Sequence, residues 1–368
     1  MVVAYVGMGL PTAALGVAWP SMRVDVDRPL SSLGLLIVAF TAGYLVSTTG
    51  HGWVGRRIGT AALLVVASAL AAAGAGAFAA TSTWAVLLVG SVVLGFSGGV
   101  VDAALNAHVA LYRSERLMNL MHGGFGVGAT LGPLVMTALL GAGLSWRWGY
   151  AALAVLQAGL AVAFAVTWQH WPVARAEARP PRRAGGPMPA AAWLGPLVFL
   201  AYGGVEVGVG AWAFVLLTGR GLGETAAGAC VTAYWAALAV GRLGLGALGT
   251  RVTSRQVVAV SVVGVGIGSL ALWWLPAAAS PVALVAMGIS LAGIFPALTA
   301  LTPGRVGPER APAVIGRQLA AAVVGGAAAS AAIGVLAQHH GSASIAPALV
   351  AVSLVLVVTD VLLTVAST

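Results

Sequence analysis

Twelve long apolar stretches, six on each side of one arginine- and proline-rich segment, constrain this chain more than any other feature. The hydrocarbon core of a bilayer is about 30 Å thick, and a helix needs roughly 20 apolar residues to cross it. The stretches 2–20, 32–50, 60–80, 84–111, 119–143, 149–168, 193–217, 225–248, 256–275, 281–302, 313–337 and 344–366 are long enough, and they are numbered here as spans 1 to 12. The 368 residues include only 18 basic and 9 acidic side chains, and the mean hydropathy is +0.99. A water-soluble protein of this size must wet its outer face, and so few polar groups cannot do that. The expected fold is an all-α integral membrane protein with twelve transmembrane helices in two six-helix bundles. Ten-residue segments of alternating hydrophobicity, the mark of a membrane β-barrel, are absent.

The segment 169–192 carries Arg175, Arg179, Arg182 and Arg183 among five prolines. It can neither pack nor span, so it reads as a cytoplasmic linker between an N-terminal bundle, 1–168, and a C-terminal bundle, 193–368. All 18 basic residues are arginine. Twelve of them, from Arg56 and Arg57 through Arg305 and Arg310, fall in loops on one side; Arg23, Arg28, Arg147 and Arg220 fall on the other. The positive-inside rule puts the richer side, and with it both termini, in the cytoplasm of a cell whose cytoplasmic membrane holds the chain. This distribution, not nucleic-acid binding, accounts for the net charge of +9. Residues 1–20 lack a positive leader and exceed a signal peptide's apolar core, so they read as a first span rather than a cleaved signal. The lone Cys230 allows no internal disulfide and reads as packing.

The halves repeat one another faintly. Gly52 and Gly246, Gly98 and Gly293, His122 and Gln318, and Tyr5 and Tyr202 are pairs separated by 194 to 197 positions, and GWVGRRIG matches GALGTRVT through Gly, Gly and Arg. Two six-helix halves related in this way resemble the major facilitator superfamily, whose halves rock about a central cavity. The loop GWVGRRIGT, with Gly52, Arg57 and Gly59, is similar to that family's short gating motif, and Arg251 is the repeat partner of Arg57. Arg56 stands where the family has Asp. Residues 95–109 and 119–133, with 202–212 and 234–246, resemble the fucose–proton symporter-like branch, which places an acid four positions before an Asn in span 4. That branch's symporter also has a carboxylate in span 1, and 2–20 has none.

Two lone acids draw attention in such a chain, because a charged side chain at the bilayer centre costs about 2.5–3.5 kcal/mol on insertion scales and must face protein or water. Asp102, with Asn106 one turn on and Gly95 and Gly98 before it, forms a polar stripe suited to a hydroxylated solute. It reads as a proton-coupling site or as a structural partner of Arg242 or Arg317. Glu206 has Tyr202 at i−4 and Gly210 at i+4, and its repeat counterpart is Gly9. It reads as a second proton site, a substrate ligand or an interhelical clamp. His122 and Gln318 open spans 5 and 11 and fit substrate binding, a gate or packing. Tyr202, Trp212, Tyr234 and Trp235 are the aromatic residues nearest the acids and can stack on a sugar ring. Trp19, Trp53, Trp84, Trp146, Trp148, Trp168 and Trp171 read as interface markers. His51 and His108 read as interfacial, and Asp360 as snorkelling from the last span.

The expected activity is secondary transport of a small polar solute, a sugar in the first instance, by alternating access coupled to protons. No cofactor or metal and no partner beyond substrate, protons and lipid is expected, and a monomer suffices. The alternative is a proton-driven efflux pump for drugs or other amphipathic compounds: Gly128, Gly132 and Pro133 form part of a drug-antiporter motif, although close helix packing explains them too. An enzyme would need convergent His, Cys or carboxylate ligands, and six His and one Cys are scattered without such spacing.

Overall fold

A computed structural model describes residues 1–112, 115–171, 187–248 and 252–367, apart from the side chains of 51–58, 107, 110–112, 115, 116, 119 and 246–248. Every regular element among the described residues is helical. Among the described residues twelve helices are long and apolar enough to cross a membrane, with bounds Val2–Asp25, Ser32–Gly50, Gly59–Ala80, Trp84–Asn106, Leu120–Gly141, Arg147–Val166, Ala191–Gly219, Glu224–Leu245, Ser254–Trp274, Ala277–Val306, Ala311–His340 and Ser342–Val365. Most helices outrun the apolar windows, since backbone hydrogen bonding continues into the interfacial turns. Span 1 runs on to Asp25, for example. Spans 2 and 3 lie in one continuous element, Ser32–Ala80, broken by the left-handed backbone of Gly59 (φ 77°, ψ 163°), which a residue without Cβ adopts freely.

The chain divides into two compact units, Met1–Glu177 and Ala178–Thr368, and the division falls within 169–192, most of which lies outside the described residues. In the first unit span 1 packs on span 5, and the Ser32–Ala80 helix packs on spans 4 and 6. In the second, span 7 packs on span 11, and span 10 packs on spans 8 and 9. Lipid tails supply no hydrophobic drive between helices, so these contacts depend on close backbone approach. Gly9 lies against the carbonyl of Phe125, and Gly128 against that of Val6. The second unit repeats the device: Gly203 lies against the Ala322 carbonyl and Gly325 against that of Leu200. The partial drug-antiporter motif is part of this seam, with Gly132 on the Leu10 carbonyl. Outward positions carry exposed aliphatic side chains such as Val155, Val260 and Val282, as a lipid-facing surface requires.

Three sequence expectations meet a different arrangement. Trp19 and Trp146 sit at span ends but point inward, fully buried; their indole N–H groups donate to the Leu30 carbonyl and Asp25 Oδ2, both at 2.9 Å. His108 is buried, its ring 5.1 Å from that of Trp171. Asp360 does not snorkel: it is 8% exposed, and its Oδ1 has no hydrogen-bond partner among the described residues. Its short side chain lies on the packed face of the span and is turned away from solvent.

Candidate functional site

Each unit holds one acid inside a polar cluster built from separate spans. In the first, Asp102 lies about one turn past the middle of its helix, Trp84–Tyr112. Its carboxylate accepts from the Tyr5 hydroxyl at 2.7 Å (Oδ1), the Tyr44 hydroxyl at 2.8 Å (Oδ2) and Asn106 Nδ2 at 2.9 Å (Oδ1). Spans 1, 2 and 4 thus converge on one carboxylate. A carboxylate has about four lone-pair sites, and three are filled here by neutral donors. Among the described residues Asp102 forms no ion pair. Tyr5 is seated in an apolar cluster with Leu63, Leu64, Val101 and Leu105 and meets the His122 ring edge-on, with centroids 5.4 Å apart. His122 itself is exposed on its helix. The glycine groove expected beside Asp102 is closed at Gly95, which lies against the backbone of Phe40, so that position serves helix packing.

In the second unit Glu206 lies midway along span 7. It accepts from the Tyr202 hydroxyl and pairs with Arg242 of span 8, Nη2 to Oε2 at 3.5 Å. The same Nη2 donates to the Tyr202 hydroxyl at 3.1 Å, and the Tyr234 hydroxyl donates to the Glu206 carbonyl at 2.9 Å. The repeat partner of Glu206, Gly9, is in backbone contact with span 5, which leaves no space there for a second acid.

The remaining candidates divide between these clusters and the packed interior. Tyr202 and Tyr234 belong to the Glu206 cluster; Trp235 lies beside Tyr234, with centroids 5.2 Å apart, and its indole N–H is buried without a partner among the described residues. Trp212 is fully buried and donates to the Ser330 carbonyl at 2.9 Å, which makes it a clamp between spans 7 and 11. Gln318 is 3% exposed and accepts from Thr302 at 3.1 Å. The gating-loop side chains of Gly52, Arg57 and Arg251 lie outside those described; Gly59 is the kink. Sequence reasoning passed over Tyr44, and it offered Arg242 as a partner for Asp102 rather than for Glu206. Tyr5 had a signal, since its repeat partner Tyr202 also serves an acid.

Two units of helices long and apolar enough to span a bilayer, each with one acid held by tyrosine, are the framework of a multi-spanning membrane protein. The chain belongs to the Major Facilitator Superfamily, whose family model matches residues 1–330, and it is a transporter rather than an enzyme. Among curated proteins it is similar to the mouse (Mus musculus) sodium-dependent glucose transporter 1A, 30% identical over 138 residues, which are 37% of this chain and 32% of that protein. The human (Homo sapiens) sodium-dependent glucose transporter 1 is 26% identical over 140 residues, 37% of this chain and 27% of that one. These alignments span about a third of the relatives' length. Among solved structures, a bacterial homolog of the human lysosomal transporter Spinster superposes with a TM-score of 0.79 at 14% identity, covering 100% of this chain and 95% of that one. The nucleoside transporter NupG gives 0.77 at 13% identity, covering 99% and 97%. At such identities these structures speak for the fold alone.

Proposed function

We propose that this protein moves a small polar solute, a sugar in the first instance, across the cytoplasmic membrane by alternating access, and that Asp102 carries the coupling proton. The carrying observation is the Asp102 cluster: a carboxylate within an apolar span, held by three neutral donors and, among the described residues, by no cation. As an anion, Asp102 accepts from all three. As an acid it carries its proton at the fourth site, on Oδ2, which no described donor fills, and the new O–H can itself donate. Protonation also removes the bare charge, worth about 2.5–3.5 kcal/mol on insertion scales, before the site reorients. Asn106 then has an amide to offer a solute hydroxyl. Glu206 with Tyr202 and Tyr234 contributes the substrate contacts of the second unit, flanked by Trp235, while His122 and Gln318 act near the cytoplasmic ends. The resemblance to the fucose–proton symporter-like branch supports the same solute class. The topology has both termini in the cytoplasm, and Gly52, Arg57, Gly59 and Arg251 belong to the loops that gate that side.

A second reading has sodium in place of the proton. The names of the curated relatives favour it, and a carboxylate with two phenol oxygens offers the hard oxygen ligands such a cation takes. Protein reconstituted in liposomes under an imposed pH gradient, with and without sodium, separates the readings when presented with labelled D-glucose, uridine and a cationic dye. Proton-driven, sodium-independent accumulation of a polar solute is expected. A strict sodium requirement transfers the coupling role to that ion, and dye transport with silence toward both solutes replaces the proposal with efflux.

A further inference from the structure

The Glu206 cluster offers more than a second acid. Arg242 spends one nitrogen, Nη2, on Glu206 and Tyr202, and its side chain is 29% exposed. A guanidinium carries five N–H donors, so Nε and Nη1 still have three to give, and no described group takes them. On the acid, Oε2 receives both Tyr202 and Arg242, while Oε1 accepts from no described group. An unfilled acceptor therefore lies beside unfilled donors. Next to them stands an aromatic wall. The half-buried Phe295 of span 10 has its ring centroid 6.1 Å from that of Tyr202 and 5.4 Å from that of Phe199.

We infer that Arg242, Glu206 and Phe295 form a binding site for a neutral, hydroxyl-bearing ring. This rests on the polar-solute reading above and narrows it. A hydroxyl both accepts and donates, so it can take an N–H of Arg242 while giving its proton to Glu206 Oε1. The ion pair carries no net charge, and an anionic solute would have to lie against the Glu206 carboxylate, so charge selects against it. The apolar face of the ring lies on Phe295, as amphipathic rings do on aromatic side chains. Arg242 is thereby a substrate ligand rather than only a counter-ion.

Exchange of labelled D-glucose and of labelled uridine in proteoliposomes without an ion gradient tests the site, with D-glucuronate as the charged competitor. Arg242→Gln is expected to raise the exchange KM by roughly ten- to hundredfold, the range for deleting a hydrogen bond from a charged group. Glu206→Gln is expected to strengthen competition by D-glucuronate relative to D-glucose by about tenfold or more, because the arginine charge is then unopposed. Either single variant leaves one charge without its partner and can fail to fold. The double variant Glu206→Gln/Arg242→Gln keeps the cluster neutral, and it should reach the membrane in wild-type amount yet keep the raised KM. Phe295→Leu should raise KM with the maximal rate unchanged. A double variant with a wild-type KM, or a D-glucuronate ratio unmoved in Glu206→Gln, overturns the site and leaves the transport reading intact. A folded wild type that exchanges neither solute overturns both.

Discussion

Tyr5 and Tyr202 occupy equivalent places in the two halves, and each gives its hydroxyl to the acid of its own unit. The acids themselves are not equivalent: among the described residues Asp102 meets only neutral donors, whereas Glu206 has a guanidinium within 3.5 Å. A hydrogen bond to a charged group is worth about 1.5–3 kcal/mol. A double-mutant cycle between Tyr5→Phe and Asp102→Asn, read by thermal unfolding in detergent, should return an interaction energy in that range. Additive effects would mean that the two side chains do not bond in the folded protein. Asp102, Asn106 and Glu206 were legible in the sequence because polar groups are rare and costly in apolar helices. Tyr44 was not legible as a ligand, and Arg242 was legible as an ion partner but not as the partner of Glu206. Tyrosine is ordinary at membrane interfaces, and which face of span 2 or span 8 meets an acid many residues away is decided by helix packing, which local periodicity does not encode.

At the scale of helices, backbone-to-backbone seams carry the architecture. Gly128 against Val6 joins spans 1 and 5, and Gly325 against Leu200 joins spans 7 and 11. A Cβ at either position would drive into a carbonyl that cannot yield without parting the helices. Gly76 of span 3 faces open space. Gly128→Val and Gly325→Val should therefore abolish monodisperse protein or lower its melting temperature sharply, while Gly76→Ala should be neutral or stabilise by up to about 1 kcal/mol. Size-exclusion profiles and melting curves check this, and unaffected Gly128→Val protein would contradict the seam. The spans themselves were legible from apolar length. Their ends were not, because helices continue past the last apolar residue into capped interfacial turns: Arg147 donates to Ser82 Oγ at 3.2 Å beyond span 3, and Arg220 donates to the Leu272 carbonyl at 2.6 Å in the last turn of span 9. The same guanidinium cap on the third span of each half is a feature that the faint repeat did not reveal.

For the whole molecule, arginine asymmetry sets an orientation that can be read directly. With Cys230 replaced by Ala, a cysteine at Leu222, between spans 7 and 8, should react with a membrane-impermeant maleimide applied to intact cells. One at Val252, before span 9, should react only after permeabilisation. The opposite pattern would invert the topology and move both termini outside. The superfamily was legible in the sequence, because it is a property of spacing and composition repeated over hundreds of residues. The coupling ion was not, since it depends on a few oxygen positions around one carboxylate.

That carboxylate is also where the account is most directly tested. In liposomes, Asp102→Asn protein should exchange labelled substrate across the membrane without a gradient as the wild type does, yet fail to accumulate it when an inward proton gradient is imposed, since a neutral amide neither takes up nor releases the proton. Gradient-driven accumulation at the wild-type level by the Asn variant would contradict the assignment of coupling to Asp102.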